Sequence, residues 1–431
     1  QKNGTFKDEI QTRLGHTSHF SIGNDYSMPD YLYINQKNGT FKDEIQARLG
    51  HTSHFSMGND IADYNNDGMP DIFTLDMLPE GNERQKLLLS PDNFELFELN
   101  VSKGFHHQYM RNMLHVNSGD GTFQEIGQLA GVSNTDWSWA SLFADFDNDG
   151  WKDLFITNGY LRDYNNQDFL KYMDNYVRTS GGKLKREDLL NMVKNMPSSN
   201  LTNYIFQNKG NLTFQNQTKA WGINHIANSS GAAYSDLDND GDLDLIVNNI
   251  NTPASIYENQ TSQQDGGNYL NLKLAGGDKN SSALGARVEI YTGSAVQVLD
   301  QNPYRGYQSS VSTTLHFGVG NITEIDSLKV NWPDGKITKE YKIAANQTLE
   351  LSQGNALPWS KTSSKTASYF LTEKTKLELG KVRAFNDYKR QPLLINPVSG
   401  NGKAMVFADF DGDGREDLFV GAGSNASASL F

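Results

Sequence analysis

A fixed internal spacing constrains this chain more than any other feature. Three segments, 32–41 (LYINQKNGTF), 114–123 (LHVNSGDGTF) and 205–214 (IFQNKGNLTF), share an Asn, a turn containing Gly or Asn-Leu, and a closing Thr-Phe. An acidic loop begins 22 residues after each of Phe41, Phe123 and Phe214, at Asp63, Asp145 and Asp236, although the units themselves are unevenly spaced. Recurrence of this kind marks a repeat architecture whose units bury their apolar faces against one another. Short apolar runs separated by Gly-Asp and Asn-Gly turns, with 39 Gly, 19 Tyr and 22 Phe, predict a mostly β chain of many strands. Each unit reads as a β module of constant length, with the variable stretches following its loop. Two of those stretches, about 80–112 and 160–200, place apolar residues three and four apart, as in DFLKYMDNYV and KREDLLNMVKNM, and are expected to be helical insertions.

The loops read DYNNDGMPD from Asp63, DFDNDGWKD from Asp145, DLDNDGDLD from Asp236 and, in a fourth copy, DFDGDGRED from Asp409. Oxygen side chains at positions 1, 3 and 5 can converge on one hard cation, the Gly at position 6 takes the sharp turn, and position 7 supplies a backbone carbonyl. The expected ligands are therefore Asp63, Asn65, Asp67 and Met69 in the first loop, Asp145, Asp147, Asp149 and Trp151 in the second, Asp236, Asp238, Asp240 and Asp242 in the third, and Asp409, Asp411, Asp413 and Arg415 in the fourth. An EF-hand would place Glu at position 12, where this chain has Thr74, Ile156, Val247 and Val420. The closing ligand is expected from position 9 instead, at Asp71, Asp153, Asp244 and Asp417. About four Ca2+ ions, one per loop, follow. Simple solvated turns are the weaker reading, because three or four carboxylates within nine residues repel unless a cation neutralises them. Setting aside the 15 carboxylates at positions 1, 3, 5 and 9 leaves 36 acidic residues against 38 basic ones, so the whole net charge of −13 resides in these loops.

Composition closes off other chemistry. The acidic balance opposes a general phosphate-binding surface, and nucleic acid is not an expected partner. With no Cys there is no disulfide framework, thiolate zinc site or cysteine nucleophile. No apolar run reaches the roughly 18–20 residues that span a bilayer. Residues 1–25 recur at 36–60 with only Thr12/Ala47 and Ile22/Met57 differing, yet the first copy lacks the counterpart of Asp63, Asn65 and Asp67. That copy is expected to bind no metal and to reflect a recent or artificial duplication. The fourth loop has no Asn-Gly-Thr-Phe segment 22 residues upstream and stands as a different subtype, in a blade that is expected to be truncated.

The strand followed by D-F-D-N-D-G-x-x-D-L-F resembles the FG-GAP or VCBS repeat of integrin-type β-propellers, over about 30–262 and 400–431. The resemblance implies blades of four antiparallel strands with calcium held in a loop between two strands of a blade. A second resemblance, to the ASPIC/UnbV domain, rests on NYLNLKLAGGDKNSSALGARVEIYTG, TLHFGVG and IDSLKVNWPDGKITKEY within 268–352. In that family this small, β-sandwich-like domain accompanies such repeats in cartilage acidic protein-like and bacterial surface proteins. The expected organisation is a duplicated repeat at 1–35, blades over 36–262, the embedded domain at 268–352, a connecting segment at 353–400 and a further blade at 401–431.

No G-x-S-x-G elbow, H-E-x-x-H helix or phosphate-cradling loop is present. His51 and His54, with their copies His16 and His19, have no Glu partner in the local sequence and read as structural, as does the pair His106-His107. Trp137 and Trp139 are expected in a blade core, and Trp332 and His316 in packing of the embedded domain. The helical insertions are the expected contact surface. The chain thus reads as a calcium-binding, non-enzymatic surface or secreted binding or adhesion propeller, extracellular or associated with the bacterial outer membrane. Its partner would be a protein or glycan, captured beside an outer-membrane uptake complex in a bacterial setting. The alternatives are an enzyme, such as a polysaccharide lyase or hydrolase, whose site lies in other blades, and a purely architectural subunit of a surface complex.

Overall fold

The computed structural model describes residues 19–22, 28–36, 38–89, 93–182, 184–198, 201–264, 266–358, 386–391, 404–422 and 427–431. They fall into two compact units, Gln1–Ser360 and Lys361–Phe431. The protein is mostly β. In the first unit four small antiparallel sheets follow one another. Sheet A contains β1 (His19–Ile22), β2 (Tyr31–Asn35) and β3 (Phe41–Asp43), and sheet B contains β4 (Asn59–Ala62), β5 (Asp71–Thr74), β6 (Met113–Asn117) and β7 (Phe123–Glu125). Sheet C contains β8 (Ser138–Ala144), β9 (Asp153–Asn158), β10 (Tyr204–Asn208) and β11 (Phe214–Asn216), and sheet D contains β12 (Ser229–Ser235), β13 (Asp244–Asn249) and β14 (Ser255–Tyr257).

The acidic loops join the first two strands of sheets B, C and D, and the Asn…Thr-Phe segments form the outer hairpins of sheets A, B and C. The repeat seen in the sequence is therefore not one module. Its 22-residue interval runs from the outer hairpin of one sheet to the loop of the next, while the variable stretches fall inside a sheet, between its second and third strands. The connector between sheets must span a set distance. An excursion that returns to the same sheet can lengthen at an entropic cost that grows only slowly. Those excursions carry α1 (Asn82–Leu88) and α2 (Phe94–Ser102) in sheet B, and α3 (Gln167–Thr179) and α4 (Arg186–Asn195) in sheet C. Asn166 caps α3 by accepting from the amides of Asp168 and Phe169. Arg84 on α1 anchors the two excursions by bonding both Asp136 and Asp163.

The core lies between consecutive sheets. Leu32, Ile72 and Phe123 fill the space between A and B, Phe73, Phe143, Leu154 and Phe206 that between B and C, and Leu142, Phe155, Ile205, Leu245 and Val247 that between C and D. Sheet C is covered on both faces, so SWASLFA of β8 runs apolar through its second half instead of alternating. First strands of neighbouring sheets lie side by side, with the Phe143 amide donating to Asp60 Oδ2 at 2.6 Å and the Gly58 amide to the Trp139 carbonyl at 2.9 Å.

Residues 268–358 build two further sheets around their own core. One has the order β18 (Leu315–Gly320), β15 (Asn268–Ala275), β21 (Gln347–Ser352), with β15 and β21 parallel. The other has the order β17 (Ala295–Asp300), β16 (Arg287–Thr292), β19 (Glu324–Asn331), β20 (Lys336–Ala344), β22 (Leu357–Pro358). Leu270, Leu272, Val288, Ile290, Phe317, Leu328 and Val330 pack between them, and buried Trp332 donates to Thr338 Oγ1 at 2.8 Å. The stretch 301–314 leaves this module and crosses the first strands of sheets B, C and D. Gly306 pairs with Asn59, Tyr307 packs on Trp139 at 5.0 Å, and the Ser312 amide donates to the Tyr234 carbonyl. At its centre Arg305 donates to both oxygens of Asp60, at 2.7 and 2.5 Å, and to Tyr234 Oη at 2.7 Å.

In the second unit β23 (Met405–Ala408), β24 (Asp417–Val420) and β25 (Ser429–Leu430) form an antiparallel sheet whose first hairpin carries the Asp409 loop. In the duplicated N-terminal copy, residues 19–22 serve as the first strand of sheet A. The expectation that this copy binds no metal falls on residues 23–27, outside the described residues, as does most of the connecting segment 353–400.

Asp60 is 2% exposed, and removing a buried carboxylate's partner leaves an uncompensated charge. Arg305→Leu is expected to lower the unfolding free energy by about 3–5 kcal/mol in urea melts, with Asp60→Asn recovering part of that loss in the double variant. A single-variant loss below about 1 kcal/mol would show that the pair behaves as a solvated one.

Candidate cation-binding loops

Each loop is shaped by two left-handed residues. Position 4 has positive φ, at Asn66 (55°), Asn148 (57°), Asn239 (63°) and Gly412 (79°), and so does the position 6 glycine, at Gly68, Gly150, Gly241 and Gly414 (84–97°). Asn and Gly are the residues that tolerate this region, which explains N-D-G or G-D-G at these places. The turn aims amides at the position 1 carboxylate. Asp63 accepts from the amides of Asp67 and Gly68, both at 3.0 Å, Asp145 from Asp149 and Gly150 at 3.1 and 2.8 Å, and Asp409 from Asp413 and Gly414 at 3.1 and 2.9 Å. The position 5 carboxylates of Asp67, Asp149, Asp240 and Asp413 accept the amides of Met69, Trp151, Asp242 and Arg415 at 2.8–3.0 Å.

Position 9 does more than the sequence suggested. Asp71, Asp153 and Asp244 each accept the position 2 amide of their own loop and, at 2.8–2.9 Å, the amide of an Asn on or just after the third strand, Asn117, Asn208 or Asn259. Those Asn side chains bond back to the position 8 carbonyls of Pro70, Lys152 and Leu243. Two of them also reach the preceding loop, Asn208 to the Tyr64 carbonyl at 2.9 Å and Asn259 to the Phe146 carbonyl at 2.7 Å. The position 4 residues point the other way, Asn66 donating to the Gly150 carbonyl at 2.9 Å and Asn148 to that of Gly241 at 3.3 Å. The recurring Asn of the hairpin segments was visible in the sequence, but this stitching role was not, because its partners lie far away along the chain.

Carboxylate oxygens come together in three loops: those of Asp145, Asp147 and Asp153, of Asp236, Asp238 and Asp240, and of Asp409, Asp411 and Asp417, each set within 4.8 Å. The first loop gathers no such trio among the described residues. Its position 3 is Asn65, whose amide turns onto Asp67 Oδ2 at 3.0 Å. Asp242 also stands apart from its own cluster, its carboxylate taken by Asn148 Nδ2 and the Ser262 amide.

The charges in these clusters have no close partner, although the charge of Lys152 acts on Asp63 and Asp145 from a distance. Among the described residues no ion pair reaches a loop carboxylate, and the buried ammonium of Lys152 bonds Asn66 Oδ1 at 3.3 Å. Burial, reinforced by neighbouring carboxylates, raises Asp145 and Asp153 well above the ordinary carboxylate range. It pushes Asp71 up to about 8 and Asp149 up to about 6. In the third loop Asp236 Oδ1 is buried with no hydrogen-bond partner, while Oδ2 accepts from the Gly241 amide and from Asn271 Nδ2, both at 3.3 Å. An orphaned anionic oxygen beside two more carboxylates, with only oxygen donors around it, fits a hard divalent cation and offers nothing to a soft one.

The other candidate residues are absorbed by structure. His51 has a Glu partner after all, since Nε2 lies 3.1 Å from Glu125 Oε2, 74 positions away, and Arg111 bonds the same oxygen. His106 Nε2 bonds the Leu49 carbonyl at 2.9 Å. Trp137 is buried and stacks on Tyr160 at 4.4 Å, and Trp139 donates to the Gly159 carbonyl at 2.8 Å. His16 lies outside the described residues. Among the described residues no helix is long and apolar enough to cross a membrane.

Residues 19–74, 104–156 and 186–247 match the FG-GAP-like repeat family, and residues 276–358 match the ASPIC and UnbV family. Cartilage acidic protein 1 of Xenopus tropicalis is 28% identical over 256 residues, which cover 52% of this chain and 38% of that protein. The human protein of the same name is 26% identical over 280 residues (56% of this chain, 40% of that protein), and the mouse protein 25% identical over 280 residues (56% and 41%). The chain spans about two fifths of the length of these relatives. The chain carries FG-GAP-like repeats followed by an ASPIC and UnbV domain, and is similar over half its length to cartilage acidic protein 1.

Proposed function

We propose that the four loops bind Ca2+, one ion each, through side chains at positions 1, 3, 5 and 9 and the carbonyl at position 7, and that the ions act as structural clamps in a non-enzymatic secreted or cell-surface binding protein. The observation that carries this reading is Asp236 Oδ1, a buried carboxylate oxygen with no partner beside Asp238 and Asp240. When bound, calcium supplies positive charge and coordination; every other part of the clamp belongs to the chain. The turn amides orient position 1, and in the first three loops the stitching Asn residues fix position 9 and tie neighbouring loops together. Calcium sites of extracellular modules work at the weak, sub-millimolar to millimolar end of the affinity range, and we place these loops in that class. The clamped sheets hold α3 and α4 outward with Leu189, Leu190 and Val193 at least half exposed, and this face is our candidate contact surface for a protein or glycan. In a bacterial setting the same arrangement suits capture beside an outer-membrane uptake complex.

Free calcium at tens of times its dissociation constant contributes about 2 kcal/mol per loop. We expect the melting temperature to rise by roughly 5 °C or more from excess EDTA to millimolar Ca2+, with Mg2+ giving less and an Asp149→Ala, Asp240→Ala double variant losing about half the gain. Equal melting with chelator and with calcium would remove the metal assignment.

The pH dependence has a definite sign. Without metal, Asp71 and Asp149 titrate near 8 and 6 in the folded chain, above the ordinary carboxylate value of about 4, so the folded state holds the extra protons. Their contribution is fully present below about pH 4 and is lost as pH rises to about 8. Calcium requires the ionised form and reverses this slope. Melting temperatures in EDTA are expected to fall from pH 5 to pH 8 while those in calcium rise, and calcium added at pH 7 in weak buffer should release protons. Parallel curves would show that the ion does not contact these carboxylates.

A further inference from the structure

We propose that Asn271 and His316 of the embedded module at 268–358 are positioning residues of the third loop's cation site, so that this site is complete only with the module docked upon it. The proposal rests on the calcium reading above and goes further by naming what sets one site apart. Asn271 on β15 and His316 on β18 are cross-strand partners, 4% and 8% exposed. Asn271 Nδ2 donates to Asp236 Oδ2 at 3.3 Å, and its Oδ1 lies 2.8 Å from His316 Nδ1. His316 Nε2 lies 2.7 Å from Oδ1 of Asn148 in the second loop, and Asn148 Nδ2 donates to Asp242 Oδ1 at 2.9 Å. Burial keeps His316 neutral, so its ring donates to one of these two amide oxygens, and the buried polar contacts run from Asp236 through Asn271 and His316 to Asn148 and Asp242 without forming one unbroken hydrogen-bonded chain.

The third loop needs these contacts more than the others do. In the first, second and fourth loops the position 1 carboxylate takes the amides of both position 5 and position 6. In the third, the Asp240 amide is spent on Asp238 at 3.3 Å, and of these two amides only that of Gly241 reaches Asp236. Asn271 adds a side-chain donor to Oδ2 beside the Gly241 amide, on a carboxylate that the Asn239 amide also faces. The docking is close: a Cβ on Gly318 would come within 2.1 Å of Asp145 Oδ2, and one on Gly241 within 1.9 Å of the Tyr269 ring, which itself stacks on His316 at 6.0 Å. Outer partners of this kind, which orient a ligand without touching the metal, are typically worth 10–100-fold in metal affinity.

The test is calcium titration calorimetry on the full 431-residue chain, as wild type, Asn271→Ala, Asp240→Ala and the double variant, with melting of each in EDTA. Asn271→Ala is expected to weaken one site about 10–100-fold and leave the others unchanged. That site should be the one Asp240→Ala removes, so the double variant should titrate like Asp240→Ala alone, while the chelated proteins melt alike. Should Asn271→Ala melt well below wild type in EDTA, His316→Gln, which removes the imidazole beside Asn271 while keeping a polar group, is judged by the same criteria. A variant that leaves every site unchanged, or weakens all of them equally, overturns the proposal while calcium uptake by the wild type stands. Absence of uptake by the wild type overturns the calcium reading itself, and this proposal with it.

Discussion

The position 9 carboxylate holds together parts of the chain that the sequence keeps far apart. Asp153 binds the Phe146 amide at the start of its own loop and the Asn208 amide beyond both helices of the excursion. A hydrogen bond to a charged group is worth about 1.5–3 kcal/mol, and here it also decides which strand closes the sheet. The helices between β9 and β10 can vary because the return of the chain is fixed by this carboxylate and by the Asn that answers it. Since Asn208 also reaches the Tyr64 carbonyl, closing sheet C registers it against sheet B in the same step. Local sheet formation and the stacking of sheets are thus one event.

Such a design concentrates negative charge where the backbone is most tightly turned. The amides that organise each loop saturate part of every carboxylate, but they neutralise none of them. Buried Lys152, lying between the first and second loops, bonds an amide oxygen and forms no ion pair with either cluster. Buried carboxylates elsewhere meet arginines, as Asp60 meets Arg305 and Asp136 and Asp163 meet Arg84, or a full set of donors, as Asp76 meets Ser53 and the His54 and Phe55 amides. That contrast, more than the mere count of acidic residues, supports the cation reading of the loops.

The loops, the short strands and the helical excursions were legible in the sequence because each is a local pattern: D-x-[DN]-x-D-G, the apolar run after it, and apolar spacing of three and four. The fold of the embedded module was legible for the same reason, through alternation at Leu270, Leu272 and Leu274. Nothing local could reveal that the repeat straddles two sheets, since strand pairing across an excursion leaves no periodic trace. Nor could it reveal the stretch 301–314. Its composition, NPYRGYQSSVSTT after Gln301, is polar, yet Arg305, with a side chain only 10% exposed, pairs with a partner 245 positions away. His51 and Glu125 repeat the lesson at a separation of 74.

The direction of the stitching gives the array a polarity. Asn66 donates forward to the second loop and Asn148 forward to the third, while Asn208 and Asn259 reach back to the loop before. Asn239 holds the same position and the same left-handed backbone in the third loop, but it is exposed. Sheet D likewise has three strands where B and C have four. At this point the chain turns into the embedded module, whose strand β15 begins at Asn268 and lays Tyr269 and Asn271 against the third loop. The module therefore stands where the repeat pattern stops supplying its own partners, and its 301–314 stretch runs back over the first strands of all three sheets. Its place in the molecule is that of a clasp on the repeats, with Asn271 bonded to the third loop and Arg305 to Asp60 on the strand that leads into the first.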